Sequence, residues 1–290
     1  MRSVENFNDY ELIDADNGER LERWGDIILI RPDPQIIWSG KRKDPRWFSP
    51  HAIYHRSNSG GGYWERCKSV PDVWSIKFED LTFRLKPMGF KHTGLFPEQA
   101  VNWKLAKDLI EKANRPVSVL NLFAYTGGAT VASLSAGAKV THVDASKGMV
   151  QWAKENAVAS GLADGEVRWL VDDCLKFVKR EIRRGNKYDA IIMDPPSYGR
   201  GPNGEVWKLE HQLTELLTET GKLLSDDALF FFLNSYTGGL SPTILNYMVK
   251  NYVVKNREGN VFTDEIGLPI TKKGISMPCG NTTVWMKDNG

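Results

Sequence analysis

The sequence predicts an α/β fold, an open and mostly parallel sheet with helices on both faces, preceded by a small β-rich domain. Three observations carry this. From about residue 100, short apolar runs alternate strictly with amphipathic helical stretches, as in a sheet buried on both faces and joined by helical crossovers. The last two strand-like runs, near 252–262 and 281–287, have no helix between them, so they pair as a hairpin and the final strand is antiparallel. The first ~88 residues instead read as short strands between turns and hold five of the ten tryptophans.

In the N-terminal region, Asp16-Asn17-Gly18 is a turn signal, and Asp26–Arg31 is a short apolar strand closed by Pro32 and Pro34. Gln35–Trp38 follows as a further short run, and Asn58-Ser59-Gly60-Gly61-Gly62 reads as a flexible loop. Trp74–Phe78 and Leu81–Leu85 form a hairpin about Glu79-Asp80. Residues 101–113 place Val101, Leu105, Leu109 and Ile110 on one helical face. The alternation then runs strand 117–123, helix 127–136, strand 139–144, helix 147–160, strand 166–171, helix 174–184, strand 188–193, helix 206–223, strand 228–234 and helix 242–250. Domains are expected over 1–88 and 89–290.

Composition excludes several classes. With 41% hydrophobic residues the chain can build a core, so wholesale disorder is excluded. No run of 18 apolar residues exists, which argues against a membrane-spanning helix. The N-terminal segment lacks the apolar core of a signal peptide. Cys67, Cys174 and Cys279 are few and far apart, suggesting neither a disulfide framework nor a metal site; a reducing cytoplasm is the expected compartment. The net charge of +2 hides a local asymmetry. Residues 31–68 carry eight bases, Arg31, Lys41, Arg42, Lys43, Arg46, Arg56, Arg66 and Lys68, against three acids, interleaved with aromatics. Such a stretch fits a phosphate-tracking face with stacking side chains, and equally a small β core with solvated charges. A second run, Lys176–Lys187, reads as a solvated helix face.

Ligands of open α/β sheets bind beyond the carboxyl ends of the strands, so the strand ends name the candidate site. The first ends in Asn121-Leu122-Phe123-Ala124-Tyr125-Thr126-Gly127-Gly128. This is a turn into a helix without the GxGxxG spacing of dinucleotide folds, and a structural turn and a cofactor loop both fit it. The second ends at Asp144, 23 residues after Asn121, where a carboxylate can accept ribose hydroxyls; a helix cap is the alternative. The third ends in Asp172-Asp173-Cys174, with Asp173 placed to accept from an adenine amine or to cap the next helix. The fourth ends in Asp194-Pro195-Pro196-Ser197-Tyr198. The prolines fix a rigid extended turn, expected to aim the Asp194 carboxylate and the proline carbonyls into the cleft, with Tyr198 as a stacking plane.

Together with Thr93-Gly94-Leu95-Phe96-Pro97-Glu98-Gln99, Val143-Asp144-Ala145-Ser146 and Trp152-Ala153-Lys154-Glu155-Asn156, these motifs resemble class I S-adenosylmethionine-dependent methyltransferases. The likeness is strongest to the bacterial 23S ribosomal RNA large-subunit methyltransferases of the cytosine-C5 and guanine-N7 group, over about residues 89–290. The resemblance implies an α/β fold with a seven-stranded, mostly parallel class I methyltransferase sheet, antiparallel last strand and a small N-terminal β-rich domain. It implies S-adenosylmethionine as cofactor, with Thr93, Phe96 and Gln99 over its methionine end and Phe123, Ala124, Tyr125, Thr126 and Gly127 packed against it. Asp144 would hold the ribose, Ala145, Ser146 and Asn156 would belong to that loop, Asp173 and Cys174 would flank the adenine, and Asp194 would border the cofactor. Asp194, Pro195, Pro196 and Tyr198 are the candidate catalytic residues, and RNA the expected partner.

The chain departs from the family in two places. Residues 1–88 do not clearly match the RNA-binding β-barrel of some members. The fifth strand ends Leu233-Asn234-Ser235-Tyr236, without the nucleophilic cysteine of the cytosine-C5 enzymes. Methylation at a base nitrogen needs no thiolate and depends on positioning, so a nitrogen of an RNA base is the expected acceptor. The alternatives are cytosine-C5 chemistry using Cys279, expected in a loop before the last strand, or a small-molecule or protein substrate.

Overall fold

The computed structural model describes residues 1–57, 61–200 and 206–288; residues 58–60 of the expected Asn58–Gly62 loop lie outside the described residues. The chain folds as two units, a larger one of Met1–Arg2, Val101–Ile266 and Cys279–Gly290, and a smaller one of Ser3–Ala100 and Gly267–Pro278.

The N-terminal strands are β1 (Arg2–Ser3), β2 (Tyr10–Asp16), β3 (Glu19–Trp24), β4 (Ile27–Pro32), β5 (Ala52–Arg56), β6 (Gly62–Arg66), β7 (Trp74–Phe78) and β8 (Leu81–Leu85). Asn17 and Gly18 join β2 to β3 with φ of 48° and 77°, the two left-handed residues that match a tight hairpin to strand twist. Strands β2 to β6 lie side by side in that order, antiparallel except for β4–β5, around Ile13, Leu21, Ile28, Ile30 and Trp47. β7 and β8 are a separate hairpin closing between Phe78 and Leu81. Gln35–Trp38 forms no strand; it folds back on the first hairpin, where the Trp38 indole donates to the Ala15 carbonyl at 2.8 Å.

The chain continues through α1 (Ala100–Lys112), β9 (Ser118–Leu122), α2 (Gly128–Ser135), β10 (Lys139–Asp144), α3 (Lys147–Ala159), β11 (Val167–Val171), α4 (Cys174–Arg183), β12 (Ala190–Met193), β13 (Tyr198–Arg200), β14 (Val206–Lys208), α5 (Leu209–Gly221), β15 (Phe230–Ser235), α6 (Pro242–Val249), β16 (Asn260–Ile270) and β17 (Ile275–Met286). The larger unit's strands lie in the order β11-β10-β9-β12-β15-β17-β16. The pairs from β11 to β15 are parallel, and β17 runs antiparallel to β15. The chain steps one way from β9 through β10 to β11, then to the other side of β9 through β12. The carboxyl ends of β9 and β12 therefore flank a topological switch point, where such sheets open a crevice. All four residues of β12 and all six of β15 are buried. Of these, Ile191, Met193, Phe231 and Leu233 pack with Phe177, Leu216, Leu217 and Trp285, each such side chain contributing about 2 kcal/mol by leaving water.

Three features depart from the sequence reading. The two units divide between Ala100 and Val101, not at residue 88, and the hairpin tip Gly267–Pro278 goes with the smaller one. Residues 86–93 bond back to the N-terminal strands, since Arg31 Nη1 donates to the Lys91 carbonyl at 2.9 Å and Trp64 Nε1 to that of Met88 at 2.8 Å. The tip pairs Ile270 with Leu12 and places Lys272 beside Asp44. The last two strands are Asn260–Ile270 and Ile275–Met286 rather than 252–262 and 281–287, the first starting later because Lys250–Val254 is a π-helical turn. Finally, β13 and β14, an antiparallel pair, follow Asp194-Pro195-Pro196, between the expected strand 188–193 and the helix. Among the described residues no helix is long and apolar enough to cross a membrane.

Candidate active site

The turn after β9 is built on alternating left-handed residues. Phe123, Tyr125 and Gly127 take φ of 55°, 51° and 80°. Two of the three are not glycine, a conformation costing about 1–3 kcal/mol per residue unless its surroundings hold it. Those surroundings are specific. The Phe123 N–H donates to Cys174 Sγ at 3.2 Å and that of Tyr125 to Asp144 Oδ2 at 2.9 Å. The Ala124 N–H reaches the Val143 carbonyl at 3.1 Å, and Asn156 Nδ2 donates to the Thr126 carbonyl at 2.8 Å. At 127 only glycine fits, since a Cβ would lie 2.8 Å from that of Ala153. Beneath the turn runs a buried chain, Asn121 Nδ2 to Thr130 Oγ1 at 2.9 Å and Thr130 Oγ1 to His142 Nδ1 at 2.9 Å. Burial lowers the His142 imidazole to about 3, so it is a neutral support, not an acid–base group.

Asp144 joins the first two strand ends. Its Oδ2 takes the Tyr125 N–H and its Oδ1 the Ser146 N–H at 2.8 Å. Burial raises its carboxyl above the ordinary range despite the two backbone donors. A carboxylate has about four acceptor sites, so each oxygen keeps capacity after these bonds. That remaining capacity fits a ribose diol such as that of S-adenosylmethionine. Ser146 caps α3 by accepting the Met149 N–H at 3.4 Å, which frees Asp144 from that duty; Ala145 between them is exposed. Asp173 is exposed and caps α4, its Oδ1 accepting the Lys176 N–H at 2.8 Å. Cys174 is buried, and that burial pushes its thiol far up. It anchors the Phe123 turn as a neutral thiol.

At the fourth strand end, the Asp194 N–H bonds the Leu122 carbonyl at 3.3 Å, setting the Asp194-Pro195-Pro196 turn beside the first. Asp194 is half-buried, Pro195 buried, and Pro196, Ser197 and Tyr198 exposed. The expectation that both proline carbonyls point into the cleft fails at Pro196, whose carbonyl accepts Trp207 Nε1 at 2.6 Å. The same indole packs against Phe123 with centroids 5.5 Å apart. Trp207 thus braces the first strand's turn and the proline turn together. The sequence reading missed it because a lone tryptophan outside any periodic run signals nothing. Thr237, beyond β15, donates its hydroxyl to Ser197 Oγ at 2.6 Å, joining the fifth strand end to the fourth. Tyr198 stands on β13 opposite Lys208.

Cys279 is not in a loop: it is a buried residue of β17. Thr93, Phe96 and Gln99 belong to the smaller unit, where Thr93 and Gln99 are buried and Phe96 half-buried. Four of the eight bases of the basic stretch, Arg31, Arg42, Arg46 and Arg66, are neutralised within that unit. Arg42 pairs with Glu19 at 2.7 Å and lies 4.1 Å over the Trp47 ring. Arg46 forks onto Asp44 at 2.9 and 2.8 Å, which holds the Asp44 carboxyl far down. Arg31 is buried on Glu22 at 2.6 and 2.8 Å, and Arg66 meets Asp72 at 3.0 Å. Of the charges on the second run, Lys179 pairs with Glu215, Arg180 with Asp172 and Arg184 with Glu181.

Residues 51–230 match the family model of S-adenosylmethionine-dependent methyltransferases. A ribosomal RNA large subunit methyltransferase K/L of Shewanella frigidimarina is 31% identical over 80% of this chain. Its counterpart in Colwellia psychrerythraea is 28% identical over 73%. The chain spans about a third of the length of these curated relatives, 35% and 27%. Among solved structures, a SAM-dependent methyltransferase from Agrobacterium tumefaciens superposes with a TM-score of 0.94 at 35% identity, covering 99% of this chain and 93% of that one. A Streptococcus mutans protein shares the fold with a TM-score of 0.75 at 18% identity, covering 96% and 74%. With a family model spanning 180 of its 290 residues and a near-full-length structural relative at that identity, the chain belongs to the S-adenosylmethionine-dependent methyltransferases.

Proposed function

We propose that the chain methylates a base nitrogen in RNA, most specifically 23S ribosomal RNA, in the cytoplasm. The observation that carries this reading is the half-buried Asp194 on a proline turn braced by Trp207, beside the turn that Asp144 holds. The names of the Shewanella and Colwellia relatives support RNA of the large ribosomal subunit as substrate.

S-adenosylmethionine supplies an electrophilic methyl group when bound. Asp144 would hold its ribose through the acceptor capacity left on both oxygens. The turn at Phe123–Gly127 would pack against it, and Asp173 would take the adenine amine. On the acceptor side, Asp194 and the Pro195 carbonyl would take the protons of a base amine, turning its lone pair toward the methyl group. Tyr198, exposed at the mouth, would stack on a base that is unpaired or flipped out. Positioning supplies the rate, and no covalent bond forms between the enzyme and the base.

The test is incubation with RNA carrying 5-fluorocytosine. An enzyme attacking C6 through a thiolate is trapped as a stable protein–RNA adduct. The expected result is no adduct, with methyl transfer to unmodified RNA intact. An adduct that disappears in Cys279→Ala would overturn the reading in favour of cytosine-C5 chemistry.

A further inference from the structure

Most arginines described above face a carboxylate, and Arg56 stands apart from them. It is exposed at the end of β5, and among the described residues no acidic side chain pairs with it. Tyr54 and Arg56, two residues apart, share one face of the strand. On that face Trp64 opposes Tyr54, while Gly62, with no side chain, opposes Arg56. The segment 86–93 is fastened over this face. The Trp64 indole donates to the Met88 carbonyl at 2.8 Å and the Tyr54 hydroxyl to that of Gly89 at 3.4 Å. The segment closes on itself through Lys86 N–H to the Thr93 carbonyl at 3.1 Å and Met88 N–H to that of His92 at 3.2 Å. Lys91 and His92, both half-buried on this segment, lie near enough to Arg56 for its charge to act on both.

Positive charge there is only partly offset, by Asp33 near Lys91. Arg31 is matched by Glu22 and Arg20 by Asp33. Glu65 is engaged by His55 at 2.7 Å, on the opposite face of the β5–β6 pair. Lys91 Nζ donates to the Pro32 carbonyl at 3.3 Å. Burial lowers Lys91, and Arg31, Arg20 and Arg56 lower it further against the opposing charge of Asp33. His92 is lowered to about 4 by burial, then by Arg31, Lys91 and Arg56. Cations gathered in partial burial repel one another unless an anion sits among them.

We infer that Arg56, Lys91 and His92 form a phosphate site in the smaller unit that takes one backbone phosphodiester of the RNA substrate. The inference rests on the RNA reading proposed above and deepens it. The Arg56 guanidinium offers paired donors, Lys91 a point charge and the neutral His92 ring an N–H. The site replaces the cluster of Lys41, Arg42, Lys43 and Arg46 as the RNA-holding face, since two of those four are spent on internal ion pairs.

The test measures binding of a fluorescent single-stranded RNA 12-mer to the full chain across a KCl series. In Arg56→Gln/Lys91→Gln the affinity should fall about tenfold, the loss of a charged hydrogen bond. The slope of log affinity against log salt should drop by about 0.7, one phosphate on a single strand. Arg56→Lys should keep most of the slope, and calorimetry should show unchanged S-adenosylmethionine affinity in all variants. A second arm titrates inorganic phosphate and follows the His92 ring by NMR; the expected result is a rise in its pKa with phosphate. A double variant with the parental slope overturns the inference and leaves RNA methylation standing. So does a His92 response to inorganic phosphate without any change in RNA slope, which marks a free-phosphate site instead. A parent chain that binds no RNA at any salt overturns the inference and the proposed function together.

Discussion

The Asp144 carboxylate accepts the backbone N–H of Tyr125 at 2.9 Å, so the second strand end holds the left-handed turn of the first. Its other oxygen takes the Ser146 N–H at 2.8 Å. Replacing Asp144 by Asn is therefore not conservative. An amide NH₂ must face one of two backbone donors, and the proposed ribose contact loses an ionised acceptor as well. Asp144→Asn is expected to weaken S-adenosylmethionine binding by about 1.5–3 kcal/mol, the worth of a charged hydrogen bond. Isothermal titration calorimetry reads this directly, and an unchanged affinity would remove Asp144 from the cofactor site.

The same carboxyl sets a pH dependence. Burial raises its pKa in the folded chain. The ionised form accepts hydroxyls, while protonation turns one oxygen into a donor facing N–H groups. Cofactor affinity should thus hold at neutral pH and fall as pH is lowered through the raised value. The fall should begin above the pH at which an ordinary aspartate titrates, and flatten in Asp144→Asn. A pH series of calorimetric affinities that is identical for the two proteins would contradict this.

Trp207 tests whether the proline turn needs its brace. Trp207→Phe keeps a ring against Phe123 and removes the donor to the Pro196 carbonyl. A lost neutral hydrogen bond is worth about 1 kcal/mol, so kcat/KM for RNA should fall about fivefold. Because the change falls on the acceptor side, cofactor affinity should stay close to parental. A variant with loss confined to cofactor binding would place Trp207 elsewhere in the mechanism.

Arg31 and Glu22 form a buried pair, joined by the Tyr10 hydroxyl at 2.8 Å from Glu22. Burial opposes both charges, and their mutual attraction holds Glu22 down and Arg31 up. Removing one partner leaves a buried charge alone, at a cost of about 3–5 kcal/mol. Arg31→Met should destabilise the chain by that amount in urea unfolding, and Arg31→Met/Glu22→Leu should recover much of it. A single variant of parental stability would show the pair to be solvated.

Much of this was legible from the residues. Apolar runs such as Ala190–Met193 announce buried strands, and Asn17-Gly18 and Glu79-Asp80 mark hairpins at the observed places. The strand ends carrying Asp144 and Asp194 were legible because polar residues closing apolar strands stand out. What escaped depends on contacts across the chain. Trp207 matters only through Phe123 and Pro196, 84 and 11 residues away. The left-handed Phe123 and Tyr125 carry no glycine signature, since Cys174, Asp144 and Asn156 hold the turn instead. Arg42 and Arg46 looked available for RNA because their partners, Glu19 and Asp44, are assigned only by the fold.

The central claim is methyl transfer to a base nitrogen of RNA, with Asp194 on the acceptor side. It is tested by supplying S-adenosylmethionine with a deuterated methyl group and ribosomal RNA, digesting the RNA to nucleosides and locating the label by mass spectrometry. The account predicts one nitrogen-methylated nucleoside, produced at near-parental rate by Cys279→Ala and about 10²–10³-fold more slowly by Asp194→Ala, as when a group aimed at the reacting centre is removed. Label found on carbon 5 of cytosine, or on no nucleoside at all, would contradict it.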